Sequence, residues 1–140
     1  MSLKESTEKL KDVSLFAGCS KRELQRIAKI GDESTVEAGR ILMEQGDAGR
    51  QAFVILEGTA TVRRGGRKVG ELGPGDTAGE LALLDRGPRT AQVRATTNMR
   101  VLVLTASGLM GLLDETPNMA AKLLTSLASR VRELDRKIYG

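Results

Sequence analysis

The chain has 140 residues, 40% of them apolar and 29% charged, which suits one globular domain with one core. Its net charge of +4 comes from interleaved signs rather than a basic arm, which fits a solvated mixed surface and not a nucleic-acid footprint. The absence of histidine excludes an imidazole base and histidine-held metals, the single Cys19 excludes an internal disulfide, and no run of 18 apolar residues spans a membrane.

Residues 1–30 read as helical. Ser20-Lys21-Arg22-Glu23 fits a capping box, with serine at the N-cap and glutamate three residues on. Leu24, Ile27 and Ala28 then repeat at helical spacing, after an apolar approach at Leu10, Val13 and Phe16. This pattern predicts a helix packed on the body of the domain.

From Ser34 to Thr105 short apolar runs alternate with Gly and Asp. Seven segments read as strands: Thr35-Val36, Ile41-Leu42-Met43, Ala52 to Leu56, Thr59 to Val62, Val69 to Leu72, Gln92 to Ala95 and Arg100 to Leu104. Turns are predicted at Gly46-Asp47, Glu57-Gly58, Gly65-Gly66 and Gly73-Pro74-Gly75-Asp76, with Gly65-Gly66 marking a tight hairpin. Many short strands with regular turns predict an antiparallel barrel or sandwich. Glu80-Leu81-Ala82-Leu83-Leu84 breaks the pattern, being rich in helix formers with no β-branched residue.

Helix returns at the end. A short helix is predicted over 107–114, and Pro117 suits the first turn of another. On that last helix Ala120, Leu124, Leu127, Val131, Leu134 and Ile138 alternate steps of four and three, the spacing of a coiled-coil seam. The stripe predicts a homodimer through the C-terminal helix.

The inserted one-turn helix is where the chemistry lies. A helix start offers unpaired N–H groups and a partial positive charge, so an anion docks there readily. Gly79 allows close backbone approach, and the planar guanidinium of Arg89 can hold two phosphate oxygens. Glu80 repels phosphate, but makes sense if the ligand also donates a hydroxyl. Taken alone, Glu80 and Arg89 read more simply as a helix N-terminal carboxylate and its surface salt-bridge partner.

The segment Gly79-Glu80-Leu81-Ala82-Leu83-Leu84-Asp85-Arg86-Gly87-Pro88-Arg89-Thr90-Ala91 resembles the phosphate-binding cassette of the cyclic nucleotide-binding domain family. That family includes catabolite activator proteins, regulatory subunits of cyclic AMP-dependent kinase and cyclic nucleotide-gated channels. Leu15-Phe16-Ala17-Gly18, Gly46-Asp47, Phe53-Val54-Ile55 and Gly73-Pro74-Gly75-Asp76 also follow the family's order. The resemblance runs from about Val13 to the C-terminus.

It implies a mainly β fold, an eight-stranded antiparallel β-roll (a jelly-roll barrel) with flanking N-terminal and C-terminal α-helices. The expected organisation is a single cyclic nucleotide-binding domain over 1–140, with N-terminal helices at about 4–31, the roll at about 34–105 and C-terminal helices at about 106–138. It implies that Glu80 accepts from a ribose 2′-OH, and that the amide of Ala82 and the guanidinium of Arg89 bind the cyclic phosphate. Thr90 adds its amide and hydroxyl, and Gly79, Leu81 and Ala91 complete the ligand-binding set, with Leu81 and Leu83 chiefly packing.

The base is expected to meet the C-terminal helix around Arg132, Leu134, Asp135 and Arg136. Three features depart from the family pattern: Ala78 replaces a larger apolar residue, Arg50 an acidic one, and only Phe16, Phe53 and Tyr139 are aromatic.

The expected function is a cytoplasmic, non-catalytic sensor without cofactor or metal. Its ligand is cyclic AMP or cyclic GMP, with cyclic AMP preferred as the commoner bacterial signal. Binding is expected to reposition the C-terminal helix. A β-roll without ligand, acting as a protein-interaction module, is the alternative. The chain ends about where a catabolite-activator-like protein begins its DNA-binding segment, so no direct nucleic-acid binding is expected of it.

Overall fold

The N-terminal stretch is two helices joined through a turn. The structure, a computed structural model, describes residues 2–80 and 87–139. Helix α1 spans Leu3–Leu10, a 3-10 turn spans Ser14–Phe16, and α2 spans Lys21–Ile30. The capping box at Ser20 forms as expected: Ser20 N donates to Glu23 Oε1 at 2.8 Å, and Glu23 N to Ser20 Oγ at 3.2 Å. This satisfies donors that a helix start otherwise leaves open. Leu24, Ile27 and Ala28 face inward and are buried.

Eight strands follow among the described residues: β1 (Asp32–Val36), β2 (Ile41–Met43), β3 (Gln51–Glu57), β4 (Ala60–Arg64), β5 (Arg67–Leu72), β6 (Thr77–Ala78), β7 (Gln92–Ala95) and β8 (Met99–Thr105). They form two four-stranded antiparallel sheets, ordered β1-β8-β3-β6 and β2-β7-β4-β5. The roll is therefore two facing sheets and not a closed barrel. Gly65 and Gly66 join β4 to β5 with φ of +59° and +79°, a pair of left-handed residues that a two-residue hairpin turn requires. Strand β6 has no counterpart among the seven predicted segments.

Alternation along β3 and β8 sets up two cores. Ile55, Met99 and Val101 point between the sheets, where they meet Met43, Ala60, Ala78, Val93 and Ala95. Ala52, Val54, Leu56, Leu102 and Leu104 point the other way, against the helices. The β3–β8 pair is thus covered on both faces, which is why Ala52 to Leu56 reads as an unbroken apolar run.

Two helices close the chain, α3 (Ala106–Glu115) and α4 (Pro117–Tyr139). Leu109 and Leu112 of α3, and Met119 and Leu123 of α4, join the core formed by Leu10, Phe16 and Ile27. Cys19 is half-buried beside this core, and burial pushes its thiol pKa up, away from reactivity. No helix among the described residues is long and apolar enough to cross a membrane.

Candidate functional site

Arg89 is a buried cation. Only 8% of its surface is exposed, which removes it from the class of surface salt-bridge residues. The loop between β2 and β3 sets its backbone: Arg89 N donates to the carbonyl of Asp47 at 2.8 Å, and Gly46 N donates to the carbonyl of Arg89 at 2.9 Å. Ala48 pairs with Pro88 alongside. The Gly46-Asp47 turn therefore places Arg89, although the two lie more than forty residues apart in sequence.

The side chain threads between two glycines. A Cβ on Gly79 would lie 2.2 Å from Arg89 Nη1, and one on Gly49 would lie 2.0 Å from Arg89 Nε. Gly79 also has a φ of +80°, so both its backbone and its neighbour require glycine. Arg89 Nη1 donates to the Gly79 carbonyl at 3.4 Å, and the guanidinium carbon lies 6.0 Å from the centre of the Phe53 ring.

Among the described residues these contacts leave the charge without a counter-ion. A guanidinium has five N–H donors. Among the described residues the Gly79 carbonyl is its only hydrogen-bond acceptor, and no carboxylate forms an ion pair with it. Its pKa is lowered by burial. A buried charge lacking a partner is costly, so a protein that retains one has a reason to.

Arg50, at the position where the resemblance leads one to expect an acid, adds a second cation instead: it lines the same cavity as Arg89 and Phe53. That cavity has a volume of about 800 Å³ and reaches the start of α3 at Thr105 and Ser107. Neither Gly79 nor Glu80 lines it, so the guanidinium stands between this cavity and the Gly79-Glu80 turn.

Glu80 pairs elsewhere than with Arg89. Its Oε1 accepts from Arg130 Nη1 of α4 at 3.0 Å, with the Glu80 side chain 18% exposed. The same guanidinium donates through Nη2 to Ser14 Oγ at 3.1 Å and to Thr77 Oγ1 at 3.3 Å. One side chain of α4 thus touches the N-terminal 3-10 turn, the end of β6 and Glu80. The surface-pair reading of Glu80 and Arg89 fails on both counts, burial and partner.

The other predicted residues fall into three groups. Thr90 is exposed and its carbonyl accepts from Arg64 Nε at 3.0 Å, while Ala91 is buried. Leu81, Ala82 and the rest of the segment predicted as helix after Glu80 lie outside the described residues. Arg132, Leu134, Asp135 and Arg136 are all exposed on the last turns of α4. Tyr139 is exposed at the end of that helix.

Ala78 is buried directly opposite Phe53 in the β3–β6 register, so the ring on the neighbouring strand stands beside the small residue.

Arg130, Thr77 and Ser14 were not among the residues predicted from sequence. Arg130 carried one signal: it follows Leu123 by seven residues, so it lies on the same face of α4 as the buried Leu123.

Comparison with known proteins gives the family and the fold. The family model described as "Cyclic nucleotide-binding domain" matches residues 33–116. The cAMP-dependent protein kinase regulatory subunit of Mycosarcoma maydis is 40% identical over 138 residues, covering 94% of this chain and 25% of that protein. The cyclic AMP receptor protein of Thermus thermophilus is 30% identical over 134 residues, covering 92% of this chain and 62% of that protein. The chain thus spans only part of the length of these curated relatives. Among solved structures, the N-terminal domain of a transcriptional regulator from Streptomyces coelicolor A3(2) superimposes with a TM-score of 0.81 at 32% identity. That match covers 91% of this chain and 95% of the other.

Proposed function

The chain belongs to the cyclic nucleotide-binding domain family, and on that premise we propose that it is a non-catalytic cytoplasmic sensor whose ligand is cyclic AMP. The observation that carries the reading is Arg89, a buried guanidinium that lacks a carboxylate partner among the described residues and packs on the Gly79 turn. A cyclic phosphate supplies the missing charge. In this reading Arg89 and the amide of Ala82 hold the phosphate, with Gly79, Leu81, Thr90 and Ala91 around it. Glu80 accepts from the ribose 2′-OH. A cofactor or metal has no part in it.

The ligand's effect is carried by α4. A ligand shifts an equilibrium only through differential affinity for two states. The contact from α4 to Glu80 supports such a coupling, because a group on the helix and a group on the cassette meet at one carboxylate. We further propose that the outer face of α4 pairs with a second copy of the chain. Leu124, Val131, Leu134 and Ile138 are all more than half exposed, and four such residues along one helix favour a matching helix over water.

Isothermal titration with cyclic AMP, cyclic GMP and linear AMP tests the reading. Cyclic AMP is expected to bind best, and a tenfold or greater preference for cyclic GMP would overturn the ligand choice. Arg89→Ala is expected to lose about 2–4 kcal/mol of binding while still folding, since a charge-assisted pair is removed. Binding within about threefold of wild type would show the cassette assignment to be wrong, and a wild type that binds none of the three nucleotides would leave the roll an interaction module without ligand.

A further inference from the structure

The cavity beyond Arg89 has no part in the function proposed above. Of the described residues in the proposed ligand set, Arg89 alone lines it. Its other walls come from β2, the β2–β3 loop, Phe53 of β3 and the start of α3. Yet it presents two guanidiniums. Arg89 is buried, with the Gly79 carbonyl as its one acceptor among the described residues. Arg50 is exposed, and among the described residues its side chain has no hydrogen bond or ion pair. The Arg50 carbonyl accepts from Ala106 N at 2.9 Å, which ties this second cation to the first residue of α3. We propose that the cavity is a second anion site, taking an organic phosphate with one phosphate head and an apolar body, and that its occupation weakens cyclic nucleotide binding through the shared Arg89. The coupling rests on the function proposed above; the anion site does not.

The lining sets the ligand class. Two like charges in one cavity repel each other. A phosphate monoester, with a charge of about −1.5 to −2 at neutral pH, offsets both, where a carboxylate offsets one. Thr105, Ala106 and Ser107 bring the N-terminal end of α3, a helix of 10 residues whose partial positive charge adds to that field. Leu42, Met43, Phe53 and Met110 supply an apolar wall, so the ligand carries an apolar group beside its anion. Two carboxylates also line the cavity, those of Glu44 and Asp47. Both residues are exposed, and Glu44 accepts from Gln92 Nε2 at 2.9 and 3.2 Å. They oppose a further phosphate group, which restricts the ligand to one. A volume of about 800 Å³ suits a small organic molecule.

An anion in the cavity and a cyclic phosphate on the cassette flank one guanidinium. Each lessens the attraction left for the other, so the coupling is negative and, by linkage, reciprocal.

Titration calorimetry on the full chain tests the anion site, with phenyl phosphate, inorganic phosphate and benzyl alcohol as probes at constant ionic strength. Phenyl phosphate is expected to bind about tenfold more tightly than inorganic phosphate, and benzyl alcohol not at all. Arg50→Gln is expected to weaken phenyl phosphate about tenfold. Ser107→Glu puts a carboxylate into the cavity at a helix start that tolerates one, and is expected to cost at least as much. Equal affinity for the two phosphates, or unchanged binding of phenyl phosphate in both variants, overturns the site.

Cyclic AMP is then titrated at rising phenyl phosphate. Coupled sites give an apparent Kd that rises about five- to tenfold and levels off in wild type, and stays within about twofold in Arg50→Gln. A Kd that rises without limit, equally in both proteins, shows competition at the cassette and defeats the inference. A wild type that binds phenyl phosphate but no cyclic AMP defeats the functional reading, and the coupling with it, while supporting the anion site.

Discussion

Helix α4 is one continuous helix with two different fates. Over 117–130 its inward face is closed: Met119 and Leu123 are 0% and 5% exposed. Over 131–139 everything faces solvent, including Val131, Leu134 and Ile138 at 65%, 58% and 69% exposure. The apolar content of the two parts is similar, so composition does not explain the contrast. Geometry does.

At 100° per residue, Met119, Leu123 and Arg130 fall on one side of the helix, while Ala120, Leu124, Val131 and Ile138 centre about 95° around from it. Leu127 belongs to both edges and is half-buried against the core. The stripe predicted as a seam is real as a stripe, but it is a different face from the one the domain's own core covers.

The largest effect that sharpens this contrast is on stability. Leu123→Ala is expected to destabilise the domain by about 2–5 kcal/mol, through lost burial and a residual cavity. Ile138→Ala in the monomer is expected to stay within about 0.5 kcal/mol. Urea unfolding at low protein concentration compares the two. Similar losses at both sites would mean that the end of α4 also packs on its own domain in solution.

Next in size is association. Leu124→Glu combined with Leu134→Glu is expected to convert a dimer into a folded monomer, without disturbing Leu127, which the core also uses. Sedimentation of wild type and variant decides it. A wild type that is monomeric at high micromolar concentration with cyclic AMP bound would remove the second copy from the proposal.

The smallest effect is a pH dependence confined to the anchored half. Lys122 of α4 donates to Glu23 Oε1 of α2 at 2.5 Å, and this hydrogen bond, with that from the Ser20 backbone, holds the Glu23 carboxyl below its ordinary range. A depressed carboxyl stabilises the fold above its unfolded pKa, and the contribution is lost as pH falls through the folded value. Glu23→Gln keeps the cap but not the charge. It is expected to cost up to about 1 kcal/mol at neutral pH, as a partly exposed pair does, with the difference from wild type vanishing in acid. Melting curves from neutral to acidic pH measure it, and a difference that grows in acid would refute the assignment.

Much of the fold was legible because its signals are local. The Ser20–Glu23 cap depends on four consecutive residues, and the Gly65–Gly66 turn on two that tolerate positive φ. Strand β6 was missed because two residues carry no periodicity; Thr77 and Ala78 pair with β3 only once Ile55 N and Gly75 N fasten the preceding turn. The splitting of the roll into two sheets was equally invisible, since strand order depends on which edges meet.

The sequence by itself determined the types of most of the described elements and the presence of an apolar stripe on the last helix, because each follows from neighbours a few residues apart. Only the tertiary structure decided which partners the charged groups take. Arg89 is buried because Gly46, Asp47, Gly49 and Gly79 converge on it from separate loops. Glu80 pairs with Arg130, fifty residues away, rather than with the nearer Arg89. Periodicity tells which residues share a helix face; what covers that face depends on the rotation at which the helix docks, and long-range packing sets that rotation.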